Sequence, residues 1–159
     1  MSNRTALTFT ITGTSPSSAT TAVIGSAIDT ASADGAGNGA GLEEVDSADI
    51  VVNTLGATGG TLDLVLQTSP DNVTFTDWVH LTQIAAAAAA AVQQAESTHS
   101  AASNPVAVGQ GTNTVLAATT VAGGPERYIR LIGKGGASTT AGAVQTAKIT
   151  VRGERKQAA

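Results

Sequence analysis

The chain contains no cysteine, so it has neither a disulfide framework nor a thiolate metal site, and its redox compartment leaves no mark on the sequence. Aromatic residues are nearly as scarce, with two Phe, one Trp and one Tyr in 159 residues. Charge is thin as well. Charged residues make up 13% of the chain, eight Lys and Arg against twelve Asp and Glu, for a formal net charge of -4. Phosphate backbones are bound chiefly by clustered Lys and Arg, so nucleic acid is not expected as a partner. The longest uniform apolar run is Ala85 to Ala91, far short of the roughly 18 residues that a membrane-spanning helix needs. Met1-Ser2-Asn3-Arg4-Thr5-Ala6-Leu7 passes straight into alternating Thr and apolar residues without an apolar h-region, so no secretion signal is expected.

What remains is a chain of 159 residues, 42% hydrophobic, with alanine the largest contributor to that fraction. The length suits a single domain over 1–159. Burial stabilises by about 25 cal/mol per Å² of apolar surface, and alanine offers little surface. A domain so poor in large side chains is expected to gain stability from a partner surface.

The strand signal is strict alternation of apolar and polar residues. Leu7-Thr8-Phe9-Thr10-Ile11-Thr12 shows it first, with Leu7, Phe9 and Ile11 facing a core and the threonines facing out. Thr21 to Asp29 reads as a weaker second strand and Asp49 to Leu55 as a third. Thr61 to Thr68 is the clearest, with Leu62, Leu64 and Leu66 on one face. Ser69-Pro70-Asp71-Asn72 supplies turn chemistry, since proline presets φ and Asp and Asn tolerate tight geometry. The return strand of that hairpin is expected over Val73 to Ile84, with Val73, Phe75, Val79 and Leu81 on one side and Trp78 and His80 on the other. Thr112 to Val121, Arg127 to Lys134 and Val144 to Gly153 complete the set, and the polar tail from Glu154 is expected to fray.

Two segments break the alternation. Residues 31–41 are rich in Gly and small polar side chains, too little apolar area to offset backbone ordering, and read as a flexible loop. Ala85 to Ala91 followed by Val92-Gln93-Gln94-Ala95-Glu96 is the best helix-forming composition in the chain. A short helix over 85–96 is therefore the expectation, within an Ala-rich excursion at 83–111 whose remainder, Ser97 to Gly111, reads as loop. An isolated helix of roughly 12 residues is marginal in water, so it would need to pack on the domain or on a neighbour. The alternative is an extended small-residue arm. About eight strands separated by Gly, Pro and Asn-rich turns define an all-β protein, an antiparallel, jelly-roll-like β-sandwich.

No motif rises to an active site. Asp34, Asn38 and Gly39 fall on EF-hand positions one, five and six, but position three is Ala36 and position twelve is Val45, so the bidentate carboxylate is missing. Gly35 to Ala40 fits a loose dinucleotide loop, yet a strand follows it where a helix is required. Glu43, Glu44, Asp46 and Asp49 form an acidic cluster with no second cluster facing it in sequence, and read as a solvated segment leading into a strand. His80 and His99 are the two histidines, and His80 reads as a sheet-face residue beside Trp78. Asn72-Val73-Thr74 matches a glycosylation acceptor and carries no weight without a secretion signal. Catalytic, cofactor-binding and metal-binding residues are therefore not expected, and neither are cofactors.

Gly25-Ser26-Ala27-Ile28-Asp29-Thr30, then Ile50-Val51-Val52, then the hairpin from Leu62 through Gln67-Thr68-Ser69-Pro70-Asp71-Asn72 to Thr76-Asp77-Trp78, and finally Tyr128-Ile129-Arg130-Leu131, resemble a group of small tailed-phage virion proteins. The resemblance spans most of Gly25 to Leu131 and is one of strands and turns. It implies a jelly-roll-like sandwich on the outside of a capsid, a decoration or cement protein whose partner is the major capsid protein and which forms a homo-oligomer such as a trimer. Its location would be the virion exterior after synthesis in the host cytoplasm. The Gly-rich insertion at 31–41 and the poly-Ala insertion at 85–96 depart from the pattern. Partner contact is expected at the N-terminal residues Arg4 and Leu7, at Ala85, Ala88 and Val92 in the excursion, and at Trp78 and Tyr128, which serve either as core or interface packing or as platforms for a sugar ring. A carbohydrate-binding or host-adhesion module of a head fibre or tail is the alternative reading, and a tail-tube or connector subunit a third.

Overall fold

The structure is a computed structural model that describes residues 4–17, 20–55, 59–81, 83–84, 90–98, 107–108 and 125–155. Among them lie nine strands: β1 (Arg4–Thr14), β2 (Thr21–Asp29), β3 (Leu42–Leu55), β4 (Leu62–Ser69), β5 (Thr76–His80), β6 (Ala90–Thr98), β7 (Ala107–Val108), β8 (Tyr128–Gly135) and β9 (Val144–Arg155). A five-stranded sheet has the order β1-β9-β3-β6-β7 and a four-stranded sheet the order β2-β8-β4-β5. Every pairing is antiparallel. With the two-residue β7 set aside, the interleaved orders 1-9-3-6 and 2-8-4-5 are those of a jelly roll, two Greek keys folded face to face. The chain is an all-β antiparallel sandwich.

The alternation in β1 produces the geometry that it promises. Phe9 and Ile11 are buried while Thr8, Thr10 and Thr12 are exposed, and all eleven residues pair with β9 without a register shift. The core fills the space between the sheets with Phe9, Ile11, Ile24, Ile50, Leu64, Leu66, Ile129, Leu131 and Ile149. Inside it, the Thr54 hydroxyl donates to Gln145 Oε1 at 2.6 Å, and Gln145 Nε2 donates to the Ala143 carbonyl at 3.2 Å. Buried polar groups of this kind require a partner, since an unmatched one costs about 1–3 kcal/mol.

Three expectations need correction. The alanine-rich segment is not helical over 90–96: Ala90–Thr98 is β6, laid antiparallel along β3 from Leu55 back to Ser47. Helix propensity is worth only tenths of a kcal/mol per residue, whereas the edge of β3 offers a ladder of main-chain donors and acceptors that must find partners. Ala85 and Ala88 lie outside the described residues, as does the strand expected over 112–121. The expected loop at 97–111 contributes Ser97 and Thr98 to β6 and Ala107–Val108 to a short β7. In the β4–β5 hairpin, the return strand begins only at Thr76. Leu66 pairs with Val79 but Gln67 with Asp77, so Trp78 is an extra residue, a β-bulge. The bulge cancels strict alternation, and Trp78 and Val79 both join the core. Val73, expected to share a face with Val79, is 80% exposed at the turn.

The sheets close tightly at one corner. Gly25, at φ 70°, interrupts the β2–β8 register between Ile24 and Ile28 and lies against β1, where a Cβ on it would sit 2.6 Å from the Thr12 carbonyl oxygen. Residues 31–41 fold over the same side. Asp34 accepts hydrogen bonds from the Ala36 and Asn38 main-chain N–H groups at 2.8 and 2.9 Å and from Asn38 Nδ2 at 2.7 Å, while Gly35 rests against the Phe9 ring.

Candidate binding surface

The two sheets treat their outer faces differently. β4 is buried along almost its whole length, with Asp63 and Val65 as inaccessible as Leu64 and Leu66, so the four-stranded sheet is covered on both sides at its centre. The outer face of the five-stranded sheet is open along β1 and β9, where exposed or half-buried residues alternate with buried ones.

That open face is a regular array, because three long strands run in register across it. Thr8, Thr150 and Asp49 form one row, Thr10, Lys148 and Val51 the next, and Thr12, Thr146 and Asn53 a third. Neighbouring strands stand about 4.8 Å apart, close enough for the Thr8 and Thr150 hydroxyls to hydrogen-bond at 3.0 Å. At the end of the array where β1 begins, Arg4 pairs with Asp46 at 3.1 Å and Arg152 pairs with Asp49. Arg4, Asp46 and Arg152, with Ala6 and Ser47, line an open groove of about 300 Å³. Two carboxylates of the acidic cluster are thus held by arginines from β1 and β9, strands far away in sequence.

The four-stranded sheet carries a chain of polar contacts on its outer side. Arg130 Nε donates to Gln67 Oε1 at 2.8 Å, Gln67 Nε2 donates to Asp77 Oδ1 at 2.7 Å, and Asp77 Oδ2 meets His80 Nε2 at 3.1 Å. The Arg130 guanidinium also stacks on Phe75, 3.8 Å from the ring centroid. Burial pushes the Arg130 pKa below its ordinary value, against the opposing charge of Asp77. A second pocket of about 280 Å³ lies where Thr30 and Ala31, Leu42 and Glu43, and Pro125 to Arg127 converge. Beside it, Arg127 grips Asp29 through two N–H···O bonds, which raises the guanidinium pKa further. Among the described residues, no group of three or more His, Asp or Glu is placed to hold a metal ion.

The residues expected at a partner surface are scattered. Arg4 is exposed in the groove, and Leu7 is half-buried at the rim of the core. Trp78 is 1% exposed, which removes it from any contact surface. A bulge that turns the ring inward is the reason, and no local sequence pattern announces it. Tyr128 is half-buried with Arg127 stacked 4.9 Å from its ring centroid. Val92 lies in β6, opposite Asn53. Arg152 was missed, since only the pairing of β9 with β3 brings it to Asp49.

The sheet orders define the class, a jelly-roll β-sandwich with one open hydroxyl-rich face. No protein-family model matches the chain, and no characterised protein matches its sequence. Among solved structures, it is similar to a chain from Bacillus endospore appendages, described as a novel family of disulfide-linked pili. The TM-score is 0.44 and the identity 13%, with 96% of this chain and 90% of that chain covered.

Proposed function

We propose that the chain is a non-enzymatic structural virion protein that decorates the outer surface of a phage head and stabilises the lattice by bridging neighbouring capsid subunits. The observation that carries this reading is the open face of the five-stranded sheet, an in-register array of Thr8, Thr10, Thr12, Thr146 and Thr150 set among Lys148, Asp49 and Asn53. Such a face presents short hydroxyl side chains with little rotamer freedom to lose, suited to broad surface-to-surface contact. The resemblance of the hairpin from Leu62 to Trp78 and of Tyr128-Ile129-Arg130-Leu131 to tailed-phage virion proteins supports the same role. Modest contacts suffice, because many copies act on one lattice.

The test is to add purified protein to capsids that lack it and to follow co-sedimentation and resistance to heat and low salt. Binding with a gain in resistance is expected, and Thr10→Glu with Lys148→Glu should abolish both. No binding and no gain would sink the reading. The glycan-binding alternative loses Trp78 to the core and rests on Tyr128 alone. A glycan array with Tyr128→Ala as control tests it. A tail-tube subunit would instead form rings or tubes by itself, visible in negative stain.

A further inference from the structure

We infer that β1 pairs edge to edge with β1 of a second copy of this chain, joining two five-stranded sheets into one continuous sheet. This inference stands independently of the capsid reading. β1 is the terminal strand of its sheet. Among the described residues, the main-chain groups of Arg4–Thr10 bond only to β9, so alternate N–H and C=O groups along the other edge are open to a strand and to little else. From Ile11 onward the approach of Gly25 covers that edge, which leaves Arg4–Thr10 as the accessible stretch.

Three features mark this edge as one built for pairing. It lacks the usual safeguards, since Arg4-Thr5-Ala6-Leu7-Thr8-Phe9-Thr10 contains no Pro, no Lys and no inward-pointing charge. It is regular, with no bulge against β9 over eleven residues. It is also self-complementary. In an antiparallel pair about a two-fold axis at Leu7, Arg4 falls opposite Thr10 of the second copy, Thr5 opposite Phe9, Ala6 opposite Thr8, and Leu7 opposite Leu7. Face parity is kept in every pair, so outward residues meet outward residues. No two like charges are opposed, and the half-buried Leu7 gains an apolar partner at the junction, which continues the core into the second sandwich. A two-fold axis gives a closed dimer, not a filament.

The experiment reads the mass of the full chain by sedimentation equilibrium over a wide concentration range. A reversible species of twice the 15.6 kDa chain mass is expected. Ala6→Lys with Thr8→Lys places lysine opposite lysine at both symmetric positions and should weaken the dimer about tenfold or more. Ala6→Glu with Thr8→Lys places opposite charges there and should restore it. Both positions are exposed, and circular dichroism checks that the fold persists. Because the chain has no cysteine, Leu7→Cys gives an unambiguous register probe: mild oxidation should cross-link it, while Ala6→Cys should stay largely uncross-linked. The inference is overturned by a monomer at all concentrations up to the order of 100 μM, by a dimer indifferent to the paired lysines, or by cross-linking at Ala6→Cys in preference to Leu7→Cys.

Discussion

Arg127 and Asp29 are joined by two parallel hydrogen bonds, Nε to Oδ1 at 2.9 Å and the second guanidinium nitrogen to Oδ2 at 2.8 Å, and this pair ties the end of β2 to the approach of β8. The Asp29 carboxylate also accepts the Ala31 N–H at 3.0 Å. The same residue therefore fixes both the strand end and the first turn of the loop after it. Arg127→Ala should lower stability by about 0.5–1 kcal/mol, the range for a half-exposed bidentate pair. Asp29→Ala should cost more, because it also frees the Ala31 N–H. Urea midpoints of the two variants check the order, and an equal effect would show that the turn does not depend on Asp29.

Gly25 is where the sandwich tolerates no side chain. Its φ of 70° lies in the left-handed region, and an added Cβ would approach Thr12 oxygen at 2.6 Å and Ile11 Cγ2 at 2.9 Å. Gly25→Ala should lower stability by about 2 kcal/mol through strain and overpacking together. Thermal unfolding reads this directly.

These contacts bear on how far the sequence alone reaches. β1, β8 and β9 were legible because a buried face alternates with a more open one and imposes period two on their residues, while β4, buried on both faces, still showed Leu62, Leu64 and Leu66 on one of them. β6 was not, since an alanine run carries no period and its local preference points to helix. Its conformation is decided by the ladder along Ser47–Leu55, a contact remote in sequence. The Trp78 bulge is equally invisible, as one extra residue shifts the pattern without altering composition. The groove at Arg4 follows the same logic. The acidic cluster was visible in sequence, but Arg4 and Arg152 reach Asp46 and Asp49 only through strand registers that local pattern does not encode.

Trp78 reports on its own position, being the sole tryptophan. At 1% exposure its emission should be blue-shifted and resistant to a soluble quencher, and unfolding should shift it to the red. Trp78→Ala should lower stability by about 3–5 kcal/mol, the cost of removing a large buried ring. A red-shifted, freely quenched native emission would return Trp78 to the surface.

Asp34 offers a pH test of the Gly-rich loop. Its pKa is lowered from the usual 3.8 to about 2, first by the hydrogen bond from the Asn38 side chain and then by the Asn38 and Ala36 main-chain N–H groups. A carboxyl held below its unfolded value favours the native loop in full above pH 3.8, where the unfolded chain is already ionised. That contribution fades as pH falls from 3.8 towards about 2 and is absent below both values. The Ala36 and Asn38 amide resonances should accordingly titrate near the lower end of that window, while the core amide of Ile149 serves as a control for global acid unfolding. Asp34→Asn should remove the titration and loosen the loop at neutral pH, since a neutral carbonyl accepts these bonds more weakly than a carboxylate. A midpoint near the ordinary aspartate value, with the core still folded, would mean that the three bonds do not organise the loop in solution. Residues 31–41 would then behave as the flexible segment that their composition suggests.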